Sequence, residues 1–237
     1  MNRMKTVSIV LVALVTVCAA AVPPAAAQAQ QPPTLQMPQP GVPEIMTMEG
    51  KFVRAAYNNE GYVILGYQVS NRSVGEEWML LEFGITVRDN TPAYTLKRDA
   101  ISLETPDGTT LPLPTIEEHR KANTQALQNR AKVQRDSINY FPPGATRGCA
   151  LTFFPDLTSR ALPKDEMELS DTRACVGRLY FKVPGGIKHG QHFLNVKFEK
   201  SLLRVPFRIL TEDEEKFLSK NYKDIEKQVK DAFKKKD

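Results

Sequence analysis

Histidine is scarce in this chain, with three residues in 237: His119, His189 and His192. Structural zinc takes four ligands and catalytic zinc usually three, so a histidine-built metal centre has little to draw on. Only His189 and His192 are close in sequence, and no cysteine or acid stands beside them. They are weak metal candidates, and the plainer reading of His189-Gly190-Gln191-His192 is a solvated hairpin turn. Glu117-Glu118-His119 opens a polar helix, where adjacent side chains point in different directions, so it reads as helix surface. A Gly-x-Ser-x-Gly elbow is missing, which leaves a hydrolase of that kind unsupported. A Ser-His-Asp set need not be local, so that absence does not close the matter. Calcium loops and Gly-rich phosphate loops are missing too. Pro184-Gly185-Gly186 joins two strands and offers no helix N-terminus to an anion. Asp99, Glu104 and Asp107 read as turn acids rather than a glycosidase pair. No cofactor is expected. Charge of one sign is also lacking. Basic residues outnumber acidic ones by 32 to 27 and the two are mixed along the chain, unlike the concentrated basic face of a nucleic-acid binder.

Long hydrophobic runs are few as well. Val7 to Ala21 is apolar apart from Ser8 and Thr16, but it is Ala-rich and falls short of the roughly 20 residues of a membrane span. Arg3 and Lys5 precede it, and Ala25-Ala26-Ala27 follows as a small-residue cleavage pattern, with Ala27-Gln28-Ala29 as an alternative. This is the three-part layout of a secretory signal peptide, residues 1–27. An uncleaved N-terminal anchor is the rival reading. A lipoprotein built on Cys18 fails at Val17, where a small residue is needed. The expected location is secreted or periplasmic, without ATP, NAD or a reducing buffer. Cleavage removes Arg3 and Lys5 and no acid, so the net charge falls from +5 to +3. Two cysteines survive, Cys149 and Cys175. In an oxidising compartment an isolated pair is most simply a disulfide, with two buried thiols as the alternative.

Residues 28–48 are rich in Gln and Pro. Such composition builds no core and favours extended conformations, so this stretch reads as a spacer. The folded part, 49–210, follows. Tyr62 to Ser70 is β-branched and aromatic and runs into the turn cluster Asn71-Arg72-Ser73-Val74-Gly75. Trp78 to Arg88 follows as a second strand, with Phe83, Ile85 and Val87 on one side and Glu82, Thr86 and Arg88 on the other. That period of two marks a half-buried strand. Ile101–Glu104 and 109–113 flank Pro106-Asp107-Gly108, a hairpin signal. Ala150 to Phe154, Val176 to Val183, Phe193 to Phe198 and Leu203 to Ile209 add further strands, and Pro206 puts the last at an edge or a bulge. Seven or eight short strands at regular intervals predict a mainly β fold, an antiparallel sandwich.

Two helical additions interrupt this pattern. Residues 115–135 contain no Gly or Pro, and Thr115 with Glu118 matches a capping box. Their apolar face is thin: Ile116, Ala122, Ala126, Leu127 and Val133. Most of this helix therefore faces water or a partner. In 211–237, Thr211 with Glu214 repeats the capping box, and Phe217, Leu218, Tyr222, Ile225, Val229 and Phe233 follow steps of three and four. That single stripe marks an amphipathic helix. It suits an open sheet face or edge, a partner's groove, or a peripheral membrane surface.

Gln68-Val69-Ser70-Asn71-Arg72-Ser73 with the strand from Trp78, and Gly177-Arg178-Leu179-Tyr180-Phe181-Lys182-Val183-Pro184 with the hairpin after it, carry a resemblance. They resemble secreted bacterial immunoglobulin-like domains of unknown function, the group with an immunoprotective extracellular fold. The resemblance covers about half of the mature chain and implies an Ig-like β-sandwich and an extracytoplasmic location. It carries over no catalytic residue, and the two helical additions depart from it.

The leading expectation is an exported, non-enzymatic β-sandwich module with a helical insertion and a C-terminal amphipathic helix. It binds another envelope or extracellular protein and no nucleic acid. The candidate contact residues are Arg120, Lys121, Arg130 and Lys132 on the insertion, with Phe217 and Tyr222 on the last helix. One alternative is a secreted hydrolase or metal-dependent enzyme using His189 and His192. Another is a small-ligand carrier using the apolar space between two sheets.

Overall fold

The computed structural model of the chain describes residues 45–155 and 161–233. The signal-peptide assignment, and the spacer as far as Glu44, lie outside these residues. Among the described residues there are twelve strands, where seven or eight were expected. They are β1 (Ile45–Gly50), β2 (Val53–Tyr57), β3 (Gly61–Gly66), β4 (Trp78–Val87), β5 (Tyr94–Lys97), β6 (Ile101–Glu104), β7 (Thr110–Pro112), β8 (Arg147–Ala150), β9 (Glu166–Leu169), β10 (Arg173–Lys182), β11 (Gly190–Lys197) and β12 (Leu202–Ile209). Four α-helices accompany them in the described residues: α1 (Gln68–Asn71), α2 (Ile116–Lys121), α3 (Gln125–Val133) and α4 (Glu212–Ala232).

The strands form three open sheets. One has the order β1-β2-β3-β4-β10-β8, a second β12-β11-β6-β7, and β5 pairs with β9 alone. Pairing is antiparallel except between β8 and β10. Strand β1 begins inside the stretch read as spacer, and Met46 and Met48 face Ala56 and Arg54 of β2. The hairpin around Pro106-Asp107-Gly108 forms as the turn residues dictate, with Gly108 at φ +82°. Pro206 sits in β12, an outer strand, where a missing N–H costs no ladder bond to a further neighbour. Cys149 and Cys175 are direct register partners in the parallel pair and form a disulfide, with Cα atoms 4.2 Å apart.

The two larger sheets feed one core. Val63, Leu65, Phe83 and Phe181 come from the first; Leu103, Leu194, Val196 and Val205 come from the second. Each such side chain, fully buried, contributes roughly 1.5–3 kcal/mol. Strand β4 departs from its half-buried expectation, because Met79 to Val87 are all buried. The chain after α3 crosses its outer face and packs Ile138 and Phe141 against Ile64. Gly84 permits this, since a Cβ there would stand 2.9 Å from the Phe141 ring. Glu82, on the same strand, is buried against Arg178 of β10 at 3.1 Å, its register partner. Burial pushes the Glu82 carboxyl up, and Arg178 pulls it back.

Three sequence assignments are corrected. The strand expected over Tyr62 to Ser70 stops at Gly66. Asp136 Oδ2 accepts the Gln68 N–H at 2.8 Å, so a distant carboxylate starts the helical turn α1. The strand expected over Ala150 to Phe154 is displaced to Arg147–Ala150. Arg98 donates to the Phe153 carbonyl at 2.9 Å and lies over the Phe154 ring at 4.7 Å, so these residues are held by a side chain instead of a strand partner. The single helix over 115–135 is two helices, broken at 122–124 with Ala122 in an extended conformation. The apolar stripe is too thin to keep one axis, and the two pieces bury different residues: His119 in α2, and Leu127, Gln128 and Ala131 in α3.

Helix α4 spans its expected range but is kinked at Asn221, whose φ of −112° and ψ of 17° leave the helical region. Thr211 and Glu214 form the expected capping box, as do Thr115 and Glu118 at α2. Leu218 and Val229 are buried, and the helix packs on β1. The Tyr222 hydroxyl donates to the Met48 carbonyl at 3.4 Å, and Lys51 Nζ reaches Ser219 Oγ at 3.0 Å. An outer strand that would expose unpaired backbone is thus flanked by a helix.

Candidate functional site

The six candidate contact residues fall into two groups with different duties. Arg120 and Lys132 are exposed and have no ion-pair partner among the described residues. Lys121 pairs with Glu117 one turn away at 2.6 Å, fully in solvent, which is worth little. Arg130 is an anchor: its guanidinium pairs with Glu76 at 2.8 Å and donates to the Ser73 hydroxyl. Leu127 and Ala131 fix α3 from its buried side, while Val133, expected in the apolar stripe, is 84% exposed. On α4, Tyr222 is half-buried and committed to Met48, whereas Phe217 is 59% exposed. Short α1 lies between the two groups. It packs against α3, and its Asn71 Oδ1 accepts the Leu210 N–H at 2.7 Å just before α4. Arg72, next to α1, pairs with Glu215 of α4 at 2.6 Å.

His119 is not on the helix surface. It is 5% exposed, with its ring centroid 4.5 Å from Tyr180 and 4.9 Å from Phe154, and with Trp78 at 6.3 Å. Burial, helped by the nearby Arg98 charge, lowers it to about 4. The imidazole is therefore neutral at physiological pH, and its Nε2 has no hydrogen-bond partner among the described residues. The sequence signal for this burial was the three-residue step from Ile116 to His119.

The histidine pair separates. His189 is exposed. His192 is fully buried in β11, stacked on Phe207 at 5.3 Å, so the solvated-turn reading fails there. Its signal was the alternation His192, Leu194, Val196, which puts all three on one buried face. His192 Nδ1 is 3.0 Å from the Gly190 carbonyl, and Nε2, itself inaccessible, has no partner among the described residues. Burial lowers its affinity for a proton, opposed by the Gly190 carbonyl and by Asp107. Among the described residues no three His, Cys, Asp or Glu side chains gather as a metal-binding group.

His192 also lines a cleft of about 110 Å³ between two turns, one joining β6 to β7 and one joining β10 to β11. Thr105, Asp107 and Thr109 come from the first turn; Val183, Pro184 and Lys188 come from the second. The Asp107 carboxylate accepts from Thr105 Oγ1 at 2.6 Å, from the Thr109 N–H at 3.2 Å and from Lys188 Nζ at 3.3 Å. These donors hold it well below the usual carboxylate range. Sequence reading treated Asp107 as a turn acid and did not bring Lys188 or His192 to it. A second, wider groove runs past Tyr94, Lys97, Asp99, Lys197 and Phe198.

No helix among the described residues is long and apolar enough to cross a membrane. Neither a family model, nor a curated protein, nor a solved structure matches the chain.

Proposed function

We propose that this chain is an exported, non-enzymatic immunoglobulin-like β-sandwich module that binds another protein of the cell envelope or extracellular space. The observation that carries the reading is the build of α2–α3. His119 and Leu127 are buried in the core, Arg130 ties α3 to the segment between α1 and β4, and Arg120, Lys132 and Val133 stand outward. A rigid support that holds cations and one apolar side chain in solvent suits recognition of an acidic protein surface. The main core, shared by two mostly antiparallel sheets, supports the sandwich assignment. The disulfide supports an oxidising, extracytoplasmic location, in keeping with the signal-peptide pattern at residues 1–27.

The test is crosslinking in intact envelopes with the tagged full chain, then affinity capture and mass spectrometry. The comparison is a double variant, Arg120→Ser with Lys132→Ser. Arg130 stays in place because it anchors α3. One dominant protein partner, lost in the variant while the melting transition stays put, supports the reading. Undiminished capture in the variant removes α2–α3 as the contact surface. Recovery of the chain alone removes the module reading.

A further inference from the structure

We infer that the outward face of α4 rests on an anionic phospholipid bilayer through a row of lysines. Lys216, Lys220, Lys223, Lys227 and Lys230 recur in steps of four and three, the spacing that keeps side chains on one helix face. All five are exposed. The kink at Asn221 falls between Lys220 and Lys223, yet on each side of it the lysines lie opposite that part's buried residues. At a rise of about 1.5 Å per residue the row covers about 21 Å. Leu218, Tyr222, Ile225 and Val229 are taken up by the core beside β1. The apolar stripe is therefore not free to enter a membrane, and the lysines are the face that α4 presents.

A second element adds to the row. Lys51, in the turn between β1 and β2, is exposed and donates to Ser219 Oγ at 3.0 Å. Among the described residues, only Lys216 of these six has a carboxylate partner, Asp213 at 3.6 Å. The acids of the first turn gather at the other end of α4, where Glu214 and Glu215 pair with Arg208 and Arg72. From Lys216 onward α4 holds five lysines against Asp224, Glu226 and Asp231, which flank the row by spacing, and the sequence goes on with Lys234-Lys235-Lys236-Asp237. Phe217, 59% exposed, stands beside Lys216 and Lys220. Unpaired ammonium groups with an aromatic ring in solvent suit an anionic bilayer, where lipid phosphates meet the cations and the ring enters the headgroup boundary. A row of flexible side chains selects by charge rather than by shape, and mobile lipids can match its spacing. Ser219 lies by Lys51, after β1, and Tyr222 by Met48, within it, so α4 runs back along β1 toward Ile45, where the chain enters the fold. The export pattern at residues 1–27 brings this chain to a bilayer. None of these residues belongs to α2–α3, so the contact stands or falls independently of the partner-binding reading.

The experiment is flotation of the full chain, as an exporting host processes it, with vesicles of phosphatidylcholine alone and of phosphatidylcholine mixed with phosphatidylglycerol, at low and high salt. Binding should require phosphatidylglycerol and fall at high salt. Lys223→Gln, Lys227→Gln and Lys230→Gln together should weaken it roughly a hundred-fold, at about five-fold per lysine. The melting temperature should stay in place, because Gln suits an exposed helix about as well as Lys. A contact made by any other part of the chain persists in this variant, so the difference reports α4 alone. Phe217→Ser should weaken vesicle binding several-fold with its salt dependence unchanged; full binding would remove the ring from the contact. Equal binding to both kinds of vesicle overturns the inference, as does a triple lysine variant that binds like the wild type. Binding of soluble polyphosphate with no vesicle binding also overturns it, because the lysines would then serve a free polyanion.

Discussion

The two helical additions start with the same device and end differently. Thr115 with Glu118 and Thr211 with Glu214 close the same reciprocal cap. Yet α2 stops after 6 residues, while α4 carries on for 21 across a kink at Asn221. A cap decides where a helix begins; a continuous apolar stripe decides how far it goes. In α4 the stripe recurs through Leu218, Tyr222, Ile225 and Val229, all turned toward the core that borders β1. In α2–α3 the buried set is His119, Leu127, Gln128 and Ala131, half of it polar. Those side chains answer to separate partners, so the chain bends between them.

The largest effect should come from the thinner stripe. Leu127→Ala removes the one large apolar anchor of α3 and should cost about 2–4 kcal/mol in urea unfolding. Leu218→Ala should cost less, because α4 shares its burial over several positions. Equal or reversed losses would break the contrast between the two additions.

Next comes pH, which acts on α2–α3 and its continuation through two groups of opposite sign. His119 titrates near 4 when folded, below its ordinary 6.5. The unfolded chain therefore binds that proton more tightly, and stability present above pH 6.5 is lost as pH falls toward 4. The full loss amounts to about 2–3 kcal/mol, and His119→Leu should abolish it. Asp136, just past α3, titrates near 6 when folded, above its ordinary 3.8, chiefly through burial. Here the folded chain holds the proton more tightly, so stability falls as pH rises from 4 to 6. Asp136→Asn keeps an acceptor for the Gln68 N–H and should raise stability at pH 7 by about 1–3 kcal/mol. Denaturation midpoints measured from pH 4 to 7 on both variants check these signs; a variant that keeps the wild-type slope removes its assignment.

Smaller still are the caps. Thr115→Ala and Thr211→Ala should each cost about 1 kcal/mol, which thermal melts will read. Similar losses sharpen the claim that the caps are equivalent and the stripes are not. Phe217→Ser is last. Its ring lies in solvent, so stability should move by less than about 0.5 kcal/mol; a larger loss would mean that the ring packs against something.

Much of the candidate site escaped sequence reading for one physical reason. Arg130 looked like four other cations on a polar helix, and only Glu76 and Ser73, more than 50 residues earlier, make it an anchor. Lys188 and Asp107 lie 81 residues apart and meet only because two turns close on one cleft. His192 was legible in part: it stands in phase with Leu194 and Val196, but a polar residue on that face reads as solvent until the neighbouring strand is placed.

By itself, the order of residues determined what depends on neighbours a few positions apart. The Pro106-Asp107-Gly108 turn, the two capping boxes, the alternating strands β11 and β12 and the stripe of α4 are of this kind, because φ restrictions, caps and facing side chains act over one turn or one pleat. The strands β1, β2, β5 and β9, the covering of β4 by Ile138 and Phe141, the turn α1 started by Asp136, and the burial of His119 and His192 were decided only by the tertiary structure. Each requires atoms from distant parts of the chain to exclude water together, and no local pattern encodes which distant residue will arrive.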